Sequence, residues 1–271
     1  MGKLKIKKND VWIDMTPMSD VMVLLLTFFM LSANFVKNEV VKVQTPASQT
    51  MAKVPDKATL DIMIYPDTVN GEPIGRVYLG TDKVVTMQYA LDTLVDKIYA
   101  SNNFAPGSRL KYDDIKDAKA KLTDKKENEE LRKTFLAETQ IGMPFKEMAK
   151  YLGQTHEEMV KQLKANGVPL DSNIVFLNDK KQEGKEVYSE FQLWVKALKQ
   201  GYKRWYKEME KKQEKGEALD IDLANTPNKL EICIKADKDT PYATFKKVIS
   251  ELQDINESRY KLLTQYKKEV D

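Results

Sequence analysis

The sequence predicts an α+β protein with a single N-terminal transmembrane helix and a linker, followed by two strand-and-helix segments that a long helical stretch separates. Three observations predict this fold class: one uncharged apolar run near the N-terminus, two separate segments with strand and helix periodicity, and a long stretch rich in Lys and Glu between them. The chain has 271 residues, of which 42% are hydrophobic and 31% charged. Its mean hydropathy of -0.53 excludes a polytopic membrane protein, and its apolar content excludes wholesale disorder.

The composition also excludes several functional classes. The single cysteine, Cys233, rules out an internal disulfide framework and multi-thiolate zinc sites. The single histidine, His156, makes His-rich metal sites and catalytic triads improbable. We therefore expect no enzymatic activity, no metal and no cofactor. The net charge of +3, from 44 basic and 41 acidic residues, lacks the strong basic field of a nucleic-acid-binding protein.

The apolar run has the length of a membrane span. Residues 21–36 read VMVLLLTFFMLSANFV, in which thirteen of sixteen residues are apolar and none is charged. Together with residues 17–20 the run reaches twenty residues, or about 30 Å at a helical rise of about 1.5 Å per residue. This length matches the hydrocarbon core of a bilayer, so residues 16–36 are predicted to form a transmembrane helix.

Lysines set the expected orientation of this helix. The first eight residues contain four of them, Lys3, Lys5, Lys7 and Lys8. Under the positive-inside rule, residues 1–15 stay in the cytoplasm and the chain after Lys37 crosses the membrane. A cleavable signal peptide is the alternative, but Asp10 and Asp14 precede the run and Leu31 is too large for an A-x-A-like cleavage site. We therefore expect the span to be kept as an anchor.

The start of the helix and one polar stripe along it are also predicted by the sequence. Thr16 can cap the helix with its hydroxyl, and Pro17 suits the first helical position, where a missing N–H costs nothing. Asp20 then lies one turn inside the helix. At about 100° per residue, Thr27 and Asn34 fall within about 40° of Asp20, whereas the remaining circumference is largely apolar.

Asp20 is the candidate proton carrier. A carboxylate in hydrocarbon costs about 2.5 to 3.5 kcal/mol on insertion scales, so this side chain should face a protein partner or a wet cavity, or be protonated. With the Thr27 hydroxyl on the same stripe, such an acid can load and unload a proton. Two alternatives stay open at this point. Asp20 could be a solvated acid at the headgroup level, favoured by the helix dipole, or it could only hydrogen-bond a neighbouring helix.

The residues around Asp20 carry a family resemblance. The string IDMTPMSDVMVLLLTFFML, residues 13–31, resembles the transmembrane signature of the ExbD/TolR family of proton-driven stator subunits. In that signature a Thr-Pro pair is followed by an Asp three residues after the proline and then by an apolar run. Thr16, Pro17 and Asp20 occupy those places. The resemblance implies that Asp20 is the proton-translocating residue.

Two segments beyond the membrane resemble the halves of the small two-layer periplasmic domain of the same family. Residues 59–103 predict two strands joined by a turn at Asn70–Gly71, followed by a helix. Residues 229–271 predict a strand, a turn, a helix and a final strand. The corner Ala236–Asp237 is part of this resemblance, and we interpret its acid as a structural turn residue rather than a catalytic one.

Residues 37–58 are predicted to form an extended linker between the membrane and the domain, because they contain two prolines and lack a helical period. Val41, Val43 and Pro46 form a short alternating piece within EVVKVQTPAS, which is similar to an ExbD linker stretch that can dock as an added strand. Thr45 stands where the related stretch tends to carry leucine. These residues are predicted to bind a partner, and a featureless tether is the alternative.

Residues 104–228 interrupt the predicted domain as a mainly helical insertion, with opposite charges three or four positions apart. Seven apolar residues form one stripe at helical spacing, which we interpret as core rather than as a binding face: Phe191, Trp194, Val195, Leu198, Tyr202, Trp205 and Met209. Residues 144–169 resemble a small helix-turn-helix. We interpret them as a packed helical pair that meets no DNA, with His156 at a helix start and not in a metal site.

The resemblance as a whole implies an ExbD-like subunit in the bacterial inner membrane, with its C-terminal domain in the periplasm. Such a subunit forms a homodimer inside a helical ring of ExbB-like partners and energises outer-membrane transport through a TonB-like transducer. The alternatives are a TolR-like or gliding-type motor subunit, or a non-conducting membrane-anchored scaffold that binds the cell wall. The sequence does not decide whether the insertion contacts peptidoglycan.

Overall fold

The computed structural model of the chain describes residues 16–32, 41–48, 57–81, 84–94, 108, 140–152, 154–171, 174–177, 185–217, 219 and 222–266. The chain divides into two compact units, residues 1–38 and 39–271, and each is described by itself. The second unit contains both helices and strands, which confirms the α+β fold class.

The described residues form six α-helices and nine strands. In chain order, the helices are α1 (Thr16–Ser32), α2 (Val84–Leu94), α3 (Met148–Leu152), α4 (His156–Ala165), α5 (Glu190–Glu214) and α6 (Tyr242–Asp254). The strands are β1 (Ala47–Ser48), β2 (Thr59–Val69), β3 (Glu72–Thr81), β4 (Gln140–Ile141), β5 (Ile174–Leu177), β6 (Lys185–Tyr188), β7 (Glu231–Ala236), β8 (Tyr260–Leu262) and β9 (Gln265–Tyr266).

Helix α1 is the described part of the first unit. It begins at Thr16 and ends at Ser32, so its 17 residues extend over about 25 Å. None of the helices within the described residues combines the length and the apolar composition that a membrane span requires. Residues 33–36 of the predicted span lie outside the described residues.

A mixed sheet organises the second unit. Within the described residues it has five strands, in the order β4-β3-β2-β7-β8. β2 and β3 form an antiparallel hairpin that is closed by Asn70 and Gly71, whose φ angles are 53° and 84°. A hairpin turn of type I′ needs positive φ at both central positions, which asparagine tolerates and glycine adopts freely. The turn therefore lies at the dipeptide that the sequence predicts.

β7 joins the two halves of the predicted domain. It pairs in parallel with β2, in a register that places Leu60 beside Ile232 and Ile62 beside Ile234. All four side chains are buried. β8 extends the sheet in parallel on the far side of β7. Two segments separated by the whole insertion therefore share one hydrophobic core.

Helices α2, α5 and α6 belong to this core. α6 approaches β3 so closely that a Cβ atom at Gly75 would lie 2.6 Å from the Cγ2 atom of Thr244, which explains the glycine. α5 packs along α2. Six of the seven stripe residues on α5 are buried and Met209 is partly buried, so the interpretation of the stripe as core is confirmed. The insertion thus supplies part of the domain's own interior.

The helical pair of α3 and α4 lies on the opposite face of the sheet from α6. Side chains alternate along a strand, so Tyr78 points away from the face on which Gly75 meets α6. The Tyr78 hydroxyl donates to the Lys164 carbonyl of α4 at 3.0 Å. Arg76, on the same face as Tyr78, donates to the Asn166 carbonyl just after α4. The sheet therefore carries helices on both faces, whereas the expected two-layer domain has them on one.

A buried glutamate ties α5 to the segment before α3. Glu190 is 5% exposed and accepts a hydrogen bond from the Phe145 N–H at 2.7 Å. Burial raises the pKa of Glu190 from 4.5 to about 7, although the hydrogen bond from Phe145 opposes the shift. The folded state therefore holds this proton more tightly than the unfolded chain does. As a result, the free energy of unfolding falls as the pH rises from about 4.5 to about 7.

Glu190→Gln should remove this pH dependence. The amide keeps an oxygen for the Phe145 N–H but has no charge to bury. We expect the free energy of unfolding to rise by on the order of 1 to 3 kcal/mol at about pH 8 and to stay unchanged at about pH 4. Denaturant unfolding of the full chain in detergent micelles measures both values. Glu157→Gln, at an exposed position of α4, is the matched control, and identical curves for Glu190→Gln and the parent at about pH 8 would contradict the argument.

Candidate functional site

The two residues predicted for proton translocation lie along one side of α1. Asp20 and Thr27 are seven positions apart, which is about two helical turns, and both side chains are exposed. The Thr27 hydroxyl donates to the Leu24 carbonyl at 3.0 Å, a bond that hydroxyl side chains commonly form within helices. Thr16 and Pro17 occupy the first two positions of the helix. The helix therefore aligns an acid and a hydroxyl whose oxygen is held in place by the backbone.

The rest of α1 presents apolar side chains to its surroundings. Ten large apolar residues between Met18 and Met30 are 49% to 76% exposed. Asp20 is the one charged residue of this helix. An exposed apolar surface of this extent favours cover by lipid or by protein. Asp20 therefore lies at the start of a surface that favours an apolar environment.

The linker residues predicted to bind a partner are docked on the chain's own domain. Val41 is 5% exposed and Val43 packs partly against the core, whereas Pro46 is exposed. Gln140 pairs with both backbone groups of Val41. Its Oε1 accepts from the Val41 N–H at 3.0 Å, and its Nε2 donates to the Val41 carbonyl at 3.3 Å. A carboxamide can take the place of a neighbouring strand in this way, because it carries an acceptor and a donor side by side.

Asp237 holds the next part of the linker. Its Oδ2 atom accepts from the Gln44 N–H at 2.8 Å, and its Oδ1 atom accepts from the Asp239 N–H at 3.2 Å. The Lys238 N–H donates to the Gln44 carbonyl at 3.0 Å. Both backbone groups of Gln44 are therefore bound at the corner that follows β7.

A short strand pair completes the docking of residues 41–48. β1, inside the linker, pairs in parallel with β9 near the C-terminus. The groups that bind the linker are called the linker clamp below: Gln140, Asp237, Lys238 and β9. Groups from the insertion and from the last part of the chain therefore bind the same eight-residue segment, residues 41–48.

The sequence indicates the linker residues but not the groups that bind them. Asp237 is predicted as a structural turn acid, and its carbonyl does accept from the Thr240 N–H at 3.0 Å within the turn. Its carboxylate also binds the Gln44 N–H. The only feature of the sequence that could have indicated this second role is an acidic residue at the end of a predicted strand. Gln140 has no such signal, since it lies in the insertion and belongs to no periodic pattern.

Asp237→Ala should release the linker and leave the sheet in place. The change removes the acceptor of the part-buried Gln44 N–H, at a cost of about 1 to 3 kcal/mol. We expect amide hydrogen exchange in residues 41–48 to become about tenfold faster, and exchange in β2 to stay unchanged. Asp239→Ala, at an exposed position of the same turn, is the matched control. Unaltered protection of residues 41–48 in Asp237→Ala would show that this carboxylate does not hold the linker.

The described residues show no metal site and no reactive thiol beside the stripe on α1 and the linker clamp. No three His, Cys, Asp or Glu side chains of the described residues lie close enough together to share a metal ion. Cys233 is buried in β7, and burial raises the pKa of its thiol to about 11. The thiol is therefore protonated at neutral pH and is a poor nucleophile.

Comparison with known proteins bears on both sites. A family model described as Biopolymer transport protein ExbD/TolR matches residues 7–169, which is more than half of the chain. The matched residues contain Asp20, Thr27, the linker and Gln140. They end before β5, so Asp237 and the second half of the predicted domain lie outside the match. No curated protein and no solved structure matches the chain.

Proposed function

The chain belongs to the ExbD/TolR family of biopolymer transport proteins, and from this premise we propose that it is an ExbD-like subunit that energises TonB-dependent transport across the outer membrane. Members of the family are membrane-anchored stator subunits of proton-driven transport and not enzymes. They generally work with ExbB or TolQ and with TonB or TolA. The proposed partners of this chain are a helical ring of ExbB-like subunits, in which it forms a homodimer, and a TonB-like transducer.

The surface of α1 supports an inner-membrane anchor. Its apolar side chains are 49% to 76% exposed and favour cover by lipid or by protein, and four lysines precede it in the sequence. We propose that residues 16–36 cross the inner membrane, with residues 1–15 in the cytoplasm and the second compact unit in the periplasm. One helix cannot enclose a proton path, so neighbouring helices have to form the other wall.

The observation that carries the mechanism is one acid at the start of an otherwise apolar helix surface, aligned with Thr27. When Asp20 takes up a proton from the periplasmic side, its side chain becomes neutral and can face apolar helices of the ring at lower cost. When the proton leaves toward the cytoplasm, the charge returns and that contact becomes unfavourable. One proton crossing about 100 mV releases about 2.3 kcal/mol, so several can drive a cycle of helix movements.

The linker clamp supports a route for this movement into the periplasmic domain. Residues 41–48 follow the proposed span and are bound at Val41, at Gln44 and at β1. A shift or rotation of the span therefore pulls on a segment that is attached to the sheet. We propose that docking and release of this segment passes the movement to the transducer, with Val41, Val43 and Pro46 as the residues that a partner meets.

The experiment that tests the proposed function is Asp20→Asn, scored in the same cells for assembly with the ExbB-like ring and for energised uptake. Asparagine keeps the size and hydrogen bonding of the side chain but cannot carry a proton through a cycle. A motor subunit then assembles and fails to work, whereas a scaffold subunit keeps its function.

A further inference from the structure

A cavity of about 440 Å³ lies where α2, α5 and the residues after α6 meet. Cavities that bind small molecules commonly measure about 300 to 1,000 Å³. Four apolar side chains form much of its wall: Leu94, Leu193, Ala197 and Ile255. The cavity is thus lined by both halves of the predicted domain and by the insertion.

Two lysines of α5 line the same cavity, and they differ in their partners. Lys199 forms an ion pair with Glu257, so its charge is compensated within the cavity wall. The Lys196 Nζ lies 3.9 Å from the centre of the Tyr188 ring. Within the described residues, Lys196 forms no ion pair with a carboxylate. Among the described lining groups, the Lys196 ammonium therefore lies beside an apolar surface without a carboxylate partner.

This arrangement selects a particular kind of molecule. The Tyr188 ring stabilises the Lys196 ammonium where it lies, by a cation–π contact. An anion that enters the cavity gains a Coulomb attraction to this ammonium, which is stronger in a partly apolar site than in water. An apolar body attached to that anion gains by covering the apolar wall. A neutral polar molecule gains neither.

We propose that the cavity binds a small amphipathic anion, a carboxylate carried on an aromatic or aliphatic body, with the acid group on Lys196 and the body against Leu94, Ala197 and Ile255. Because α2, α5 and the residues after α6 would all contact such a molecule, it binds the folded domain and not the unfolded chain. Binding therefore raises the unfolding temperature of the domain.

The test uses the full chain in detergent micelles with para-trifluoromethylbenzoate as the probe, followed by fluorine NMR. The neutral para-trifluoromethylbenzamide has the same body and reports the apolar contribution alone. We expect saturable binding of the benzoate, weakened about fivefold by Lys196→Gln, with benzamide binding unchanged. Lys203→Gln, seven positions further along α5 at an exposed position, is the matched control and should leave both probes unaffected.

Ala197→Phe places a phenyl ring in the space beside Lys196 that the body of the probe would occupy, and should abolish binding of both probes. Its melting curve shows whether the domain is still folded. If Ala197→Phe does not fold, the comparison of Lys196→Gln with the parent protein still tests the proposal. The proposal is overturned if the benzoate shows no saturable binding, if Lys196→Gln leaves its affinity unchanged, or if a folded Ala197→Phe protein still binds it.

Discussion

Asp20→Asn is expected to reduce energised uptake to the level of a strain that lacks this chain. The carboxamide has nearly the shape of the carboxyl group, so α1 and its packing should be kept. It cannot gain and release a proton, however, so the proposed cycle stops with the ring and the chain still assembled. Uptake in cells and proton flux through the reconstituted complex measure the loss, and co-purification with the ExbB-like partner measures assembly.

The matched control for this variant is Asp14→Asn, which makes the same chemical change two residues before Thr16 and should preserve uptake. Normal uptake in Asp20→Asn would leave only the scaffold role for this residue. Loss of envelope integrity without loss of uptake would instead assign the chain to the TolR-like branch of the family. Loss of the complex itself would mean that Asp20 acts in helix packing.

Trp194→Ala is expected to lower the free energy of unfolding by about 3 to 5 kcal/mol. Its indole is 1% exposed and stacks on the Phe145 ring, with the ring centres 5.6 Å apart. The change removes a large buried side chain from the contact between α5 and the segment before α3, and neighbouring side chains can fill the space only in part. Denaturant unfolding of the full chain in detergent micelles measures the effect.

Tyr242→Ala is the matched control for Trp194→Ala. This aromatic residue lies at the start of α6 and is 74% exposed, so its removal should change the free energy of unfolding by no more than about 0.5 kcal/mol. A loss of less than about 1 kcal/mol in Trp194→Ala would show that the contact between α5 and the segment before α3 contributes little to stability. The expected result makes this contact, which lies within the insertion, part of the buried core.

Elements whose residues follow a regular period could be predicted from the sequence. Val77 and Leu79 alternate along β3, and the stripe from Phe191 to Met209 recurs every three or four positions along α5. These patterns exist because burial on one face repeats with the geometry of the element itself. The turn at Asn70–Gly71 could also be predicted from the sequence, because asparagine and glycine are the residue types that positive φ favours.

The second helical layer and the linker clamp could not be predicted in this way. Tyr78 reads as one more aromatic residue of a strand, and only its contact with Lys164 shows that α4 covers that face. Gln140 and Asp237 bind linker residues that are 99 and 193 positions away in the chain. A single polar side chain that binds one distant backbone group is not part of a repeating pattern. The sequence therefore contains no periodicity from which the contact could be predicted.

By itself, the sequence determined the anchor-like apolar run with its acid at Asp20, the α+β class and the family, because each depends on residues that are close together in the chain. Only the tertiary structure decided that the insertion helps to form the core, that residues 41–48 dock on their own domain, and that Lys196 lines a cavity without a carboxylate partner among the described residues. These features arise where segments that are distant in the chain come into contact. Those contacts depend on the packing of the whole domain and not on any local sequence pattern.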